Sequence, residues 1–87
     1  MATVAPMAYE LDRRSAEPSY RQLAALLRAE IQSGRLSPDD ALPSISRLQQ
    51  ETGLASKTIQ HAIRALVAEG LVYVVPGRGT YVDPGTS

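Results

Sequence analysis

Lys57, Gln60, His61 and Arg64 stand at offsets of zero, three, four and seven, the spacing that places four side chains on one face of an α-helix. Each carries a group able to meet a nucleic acid. A lysine neutralises a phosphate or donates to guanine, a glutamine forms paired hydrogen bonds to adenine, and an arginine farther along the helix reaches phosphate. Thr58, beside Lys57, suits a phosphate or a thymine methyl. The bland reading of the same face is the solvated polar side of a small helical bundle. Another cation, Arg78, lies between Gly77 and Gly79 and is followed by Thr80. A phosphate-cradling glycine loop needs a helix N-terminus after it, whereas the strand-like "TYV" follows Gly79. That leaves a turn, for which both glycines are suited. A long cation at the apex of a narrow hairpin also fits the minor groove, where negative potential favours guanidinium.

Other chemistries find little support. With no cysteine there is no disulfide framework, thiolate metal site or thiol nucleophile. One histidine and scattered acidic residues make no metal site. Ser15, Ser44 and Ser56 lack the partners of a nucleophile, and helix capping accounts for the latter two. No catalytic residue, cofactor or metal is therefore expected, and an enzyme is the most distant reading. No apolar run approaches the roughly 20 residues that span a bilayer, and "MATVAPMAYELDRR" lacks the basic-then-apolar order of a signal peptide; a cytoplasmic location and no membrane partner are expected. Nine Lys plus Arg against nine Asp plus Glu give a formal charge of zero, less basic than is usual for a polyanion binder. From residue 41 onward, Arg47, Lys57, Arg64 and Arg78 outnumber Glu51, Glu69 and Asp83 by one. Any nucleic-acid role must rest on where the charges point.

The elements that position these groups follow from periodicity. The 87 residues, 44% apolar and 21% charged, suit one small globular domain. Residues 1–17 read as an N-terminal arm, in which the alternation of "MAYELD" allows a short edge strand. From Pro18, Tyr20, Leu23, Ala24, Leu27 and Ile31 form one helical face that ends at Gly34. Arg21, Arg28 and Glu30 fall on its wet side. "RLSPDDALP" reads as a turn-rich connection. Ser44 then caps the short helix "ISRLQQET", and Gly53 lets the chain turn sharply. "SKTIQHAIRALVAEG" is the third helix, capped by Ser56 and stopped at Gly70, with Ile59, Ile63, Leu66 and Val67 inward. "LVYVV" and "TYV", joined by "PGRG", make a hairpin. The fold class is a small α+β winged helix over residues 18–83, a three-helix helix-turn-helix core followed by an antiparallel β-hairpin wing, with a short tail at 84–87. In such a pair the second helix can lie in the major groove.

The blocks "PSYRQLAALLRAEIQSGRL", "LPSISRL", "TGLASKTIQHAIRALVAEGLV" and "PGRGTYV", in that order, resemble the DNA-binding domain of GntR-type winged-helix transcriptional regulators over residues 18–82. The resemblance implies a bacterial, nucleoid-associated regulator. It would read a double-stranded operator sequence-specifically and repress by occupying it, commonly as a homodimer on an inverted repeat. It places the recognition helix at about 56–69 and the wing at 76–80. It also adds Ser44, Ser46, Arg47 and Ser56 to the contact set already named. Three positions depart from the family's pattern, which usually has arginine at Ser46, Ser56 and often Gln60. Arg47 and Lys57 each stand one residue later, a rotation of about 100° on a helix. They can reach phosphates near a helix start without reproducing the family's base contacts, so an altered operator with polar readout through Gln60 and His61 is expected. Most members carry a larger C-terminal domain that binds an effector and dimerises; this chain is then either a DNA-binding fragment of a longer protein or a regulator with no small-molecule effector domain, and "DPGTS", which shows no start of another folded segment, favours the second.

The rival from another class is a winged-helix protein-interaction module. It predicts an exposed apolar patch around Tyr73 or Tyr81. A DNA binder instead needs Lys57, Arg64 and Arg78 on one side with no acidic residue between them.

Overall fold

The computed structural model describes residues 11–12, 14 and 16–84. The chain forms α1 (Ser19–Gln32), α2 (Ile45–Thr52), α3 (Ser56–Ala68), β1 (Val72–Val75) and β2 (Gly79–Val82), a three-helix core followed by an antiparallel hairpin. Most of the alternating run at 7–12 lies outside the described residues, and its last two, Leu11 and Asp12, are not in a strand.

In α1 the Pro18 carbonyl accepts the first free amides, from Arg21 and Gln22, at 3.0 and 3.2 Å, and Gly34 leaves the helix at φ 87°. Leu23, Ala24 and Leu27 are buried against α3. Gln22 holds the arm as a second strand would: its Oε1 accepts the Asp12 N–H at 2.7 Å and its Nε2 donates to the Asp12 carbonyl at 3.0 Å. Arg28 keeps part of its side chain in solvent, as its wet-side position implies, and is also paired. It reaches α3, where Nη2 lies 2.6 Å from Glu69 Oε2 and Nε donates to Oε1 at 2.9 Å. This hydrogen bond holds the Glu69 carboxyl below the usual carboxylate range.

The corner between α2 and α3 is built by Thr52 and Gly53. Thr52 is buried; its Oγ1 donates to the Leu48 carbonyl at 2.7 Å and accepts the Leu54 N–H at 3.1 Å. Gly53 turns the chain at φ 76° while its N–H returns to the Gln49 carbonyl at 2.8 Å. Leu48 and Leu54 are thereby driven into the core beside Leu23, Leu27, Ile59 and Leu66.

In α3, Ile59, Ala62, Ile63 and Leu66 face inward. Val67, expected inside, is 40% exposed. It lies about 40° around the helix beyond Ile63 and about 100° from Leu66, past the edge of the buried stripe, and the small Ala62 takes the inward place instead.

In the hairpin, Val72 pairs with Val82, Tyr73 with Tyr81, Val74 with Thr80 and Val75 with Gly79. Val72 and Val82 seal the core. The segment before α2 is more than a connection. The Asp39 N–H donates to the Val82 carbonyl at 2.7 Å, the Val82 N–H to the Asp40 carbonyl at 2.8 Å and the Leu42 N–H to the Thr80 carbonyl at 2.8 Å, and Ala41 bridges Tyr81. Pro38, Asp39 and Asp40 carry no strand propensity; the open edge of β2, whose amides need partners, imposes the pairing. Asp39 adopts φ 65°, a left-handed conformation that aspartate tolerates better than most residues. Its carboxylate accepts the Tyr73 hydroxyl at 2.7 Å, which pushes the Tyr73 phenol above its ordinary range.

Candidate nucleic-acid interface

At the start of α2, the Ser44 Oγ accepts the Arg47 N–H at 3.0 Å, so this hydroxyl is the helix cap that its position suggests. Ser46 is exposed beside it. The Arg47 guanidinium lies along its own helix, with Nε 2.9 Å from Glu51 Oε2.

Ser56 is not the cap of α3. Ala55 occupies that position with no side-chain hydrogen bond, and Ser56 is the first helical residue. A residue already helical cannot turn its hydroxyl onto the exposed amides ahead of it; the Ser56 Oγ instead accepts Gln60 Nε2 at 3.2 Å, one turn along. This leaves Gln60 Oε1 and the second amide N–H directed outward. Thr58 is half-buried. His61 is exposed on the polar face, and its ring also stacks on Tyr20 of α1 with centroids 3.7 Å apart and planes 9° from parallel. Its position at the edge of the stripe brings it over α1, a contact that helical spacing alone does not reveal.

Lys57 and Arg64 are exposed and, seven residues apart, lie within about 20° of each other around α3. The turn joining the strands is Val75-Pro76-Gly77-Arg78, closed by the Arg78 N–H on the Val75 carbonyl at 2.9 Å, with Gly77 at φ 77° and Gly79 at φ 140°. Pro followed by a positive-φ Gly is the signature of a type II turn. Arg78, at its last position, is exposed at the tip.

Two adjoining concavities share Ile45, Ile63 and Thr80: one of about 220 Å³ between α3 and the hairpin, and one of about 230 Å³ between the hairpin and residues 41–45 leading into α2. Gln60, Arg64 and Val74 complete one; Ser44, Arg78 and Gly79 help to line the other. No carboxylate borders either. Among the described residues, Lys57, Arg64 and Arg78 have no acidic partner, whereas Arg28, Arg35 and Arg47 are each engaged by a glutamate. The apolar patch expected of an interaction module is not built around the tyrosines. Tyr73 and Tyr81 are half-buried, stack at 5.7 Å and direct the Tyr73 hydroxyl to Asp39.

Val74 and Ile45 were not in the predicted site. The alternation in "VYVV" places Val74 on the same face as buried Val72, but only the packed hairpin shows that this face runs past the core and leaves Val74 54% exposed. Among the described residues no group of His, Cys, Asp or Glu could hold a metal ion, and no helix is long and apolar enough to cross a membrane.

The family described as "Bacterial regulatory proteins, gntR family" matches residues 19–82. The chain belongs to this GntR family. It is 44% identical over 66 residues to the mannosyl-D-glycerate transport/metabolism system repressor MngR of Escherichia coli (strain K12), covering 76% of this chain and 28% of the relative. The chain thus spans less than a third of that repressor's length. Among solved structures, YtrA from Sulfolobus acidocaldarius, a GntR-family transcription factor, superposes with a TM-score of 0.82 at 34% identity, covering 91% of this chain and 83% of that one. The AraR DNA-binding domain in complex with operator ORE1 superposes at 0.75 with 36% identity, covering 84% and 89%.

Proposed function

We propose that this chain is the DNA-reading part of a bacterial transcriptional repressor, which binds a specific double-stranded operator and represses by occupying it in the cytoplasm. The observation that carries the reading is the placement of Lys57, Arg64 and Arg78. These cations have no acidic partner among the described residues, and Arg64 and Arg78 border a trough free of carboxylates. The likeness to an operator-bound AraR domain supports it.

In this reading α3 enters the major groove. Lys57 meets a phosphate or a guanine near the helix start, Gln60, steadied by Ser56, presents its free amide edge to an adenine, and Arg64 meets phosphate. Ser44, Ser46 and Thr58 offer hydroxyls to the backbone. Gly77 and Gly79 keep the tip narrow enough for Arg78 to enter the minor groove, with Thr80 at its base. Arg47 joins the phosphate contacts by exchanging its glutamate for DNA. His61 sets α3 against α1 through its stack on Tyr20. Two copies on an inverted repeat would place their half-sites about 34 Å apart. With Arg47, Lys57, Arg64 and Arg78 as the cations available to phosphate, the logarithmic salt slope is about −3 to −4 per copy.

The test is selection of bound sequences from a random duplex pool at one salt concentration, with Lys57→Ala, Gln60→Ala and Arg78→Ala alongside. Enrichment of an inverted repeat, relaxed at separate positions by Gln60→Ala and Arg78→Ala, is expected. A pool that never departs from random would exclude a sequence-reading role.

A further inference from the structure

The trough between α3 and the hairpin is lined by apolar groups where a DNA interface would ordinarily be polar. Ile45 and Ile63 line both of its concavities and Val74 lines one, and Val74 remains 54% exposed although it lies on the same face of its strand as buried Val72. Arg64 lines one of its two concavities and Arg78 the other.

We infer that this trough receives the deoxyribose-phosphate segment that separates the major from the minor groove, with Val74 packing on the sugars while Arg64 and Arg78 neutralise the phosphates to either side. The inference rests on the DNA reading above and follows from duplex geometry. A helix in the major groove and a hairpin tip in the adjacent minor groove straddle one strand of the backbone, and the space between α3 and the hairpin is all that is left for it. The segment's chemistry matches the lining. Deoxyribose presents C–H surface with no hydroxyl at C2′ and so can cover Val74, Ile45 and the Thr80 methyl. The anionic oxygens project toward the two arginines, and no carboxylate opposes them. Val74 thus contributes affinity without reading sequence, and without an ionic contact.

That combination has a distinctive signature. Replacing Val74 with alanine removes two methyl groups from the covered surface, an expected loss of about tenfold in affinity. The loss should be equal on the selected operator and on a scrambled duplex, and the salt slope should stay at the wild-type value, because no phosphate contact is removed. Arg64→Ala should instead reduce that slope by about one. Thermal unfolding of Val74→Ala, followed by circular dichroism, establishes that the fold persists, as the half-exposed position leads one to expect.

Titrations of wild type and both variants on the two duplexes, across a salt series, decide the matter. A uniform loss at unchanged slope supports the inference. A loss confined to the selected duplex, or one abolished when its thymines are replaced by uracil, would assign Val74 to reading thymine methyls and overturn it. Wild-type binding matched by Val74→Ala overturns this inference alone, while a wild-type protein that binds neither duplex overturns the DNA reading and this inference with it.

Discussion

Replacing Thr52 with valine tests what holds the recognition helix at its angle to α2. The two side chains are nearly the same shape, so the substitution exchanges a hydroxyl for a methyl with little change in packing. In the wild type this hydroxyl accepts the Leu54 N–H at 3.1 Å and donates to the Leu48 carbonyl at 2.7 Å, at a residue only 8% exposed. Valine leaves the Leu54 amide without that acceptor in a buried corner. An unsatisfied buried donor costs about 1–3 kcal/mol, while the additional buried methyl returns about 0.8 kcal/mol. The net expectation is a destabilisation of about 0.2–2.2 kcal/mol, or roughly 1–18 °C in Tm for a domain of this size. Packing alone predicts the opposite sign, a gain of about 0.8 kcal/mol. Urea unfolding by circular dichroism separates the two, since the midpoint should fall at unchanged m-value. A Thr52→Val protein that unfolds at the same or a higher urea concentration would refute the reasoning.

Gly53→Ala should cost about 1 kcal/mol, because φ 76° forces the new Cβ into the left-handed region; equal denaturation midpoints would show that the corner relaxes instead. Glu69→Gln removes the exposed ion pair to Arg28, worth less than about 1 kcal/mol after solvent screening. Because Arg28 lowers the folded-state pKa of Glu69 from the ordinary value of 4.5, the wild type's advantage is present at neutral pH. It fades as pH falls through that lowered value, and melting curves that differ equally at pH 7 and pH 3 would contradict this. His61→Ala should lower stability by about 0.5–1.5 kcal/mol through loss of the Tyr20 stack while leaving the selected operator sequence unchanged. A changed base preference at unchanged stability would place His61 among the DNA contacts.

The amino-acid sequence by itself determined the order of elements and much of their bounds, because those rest on local chemistry. Pro18 and Gly34 delimit α1, Ser44 caps α2, Gly53 supplies the positive φ of the corner, and Pro76-Gly77 closes the hairpin. The candidate stripe of Lys57, Gln60 and Arg64 was legible for the same reason, since helical spacing within two turns is a local property. Tertiary packing decided what depends on neighbours distant in the chain. His61 turns onto Tyr20, Arg28 crosses to Glu69, and the turn-rich segment at 39–42 pairs with β2 because that strand has an unpaired edge. Whether a cation is free is likewise a property of the fold. Composition records nine charges of each sign, but only the packed chain draws Glu69, Glu30 and Glu51 toward Arg28, Arg35 and Arg47 and leaves the lining of one apolar trough to Arg64 and Arg78.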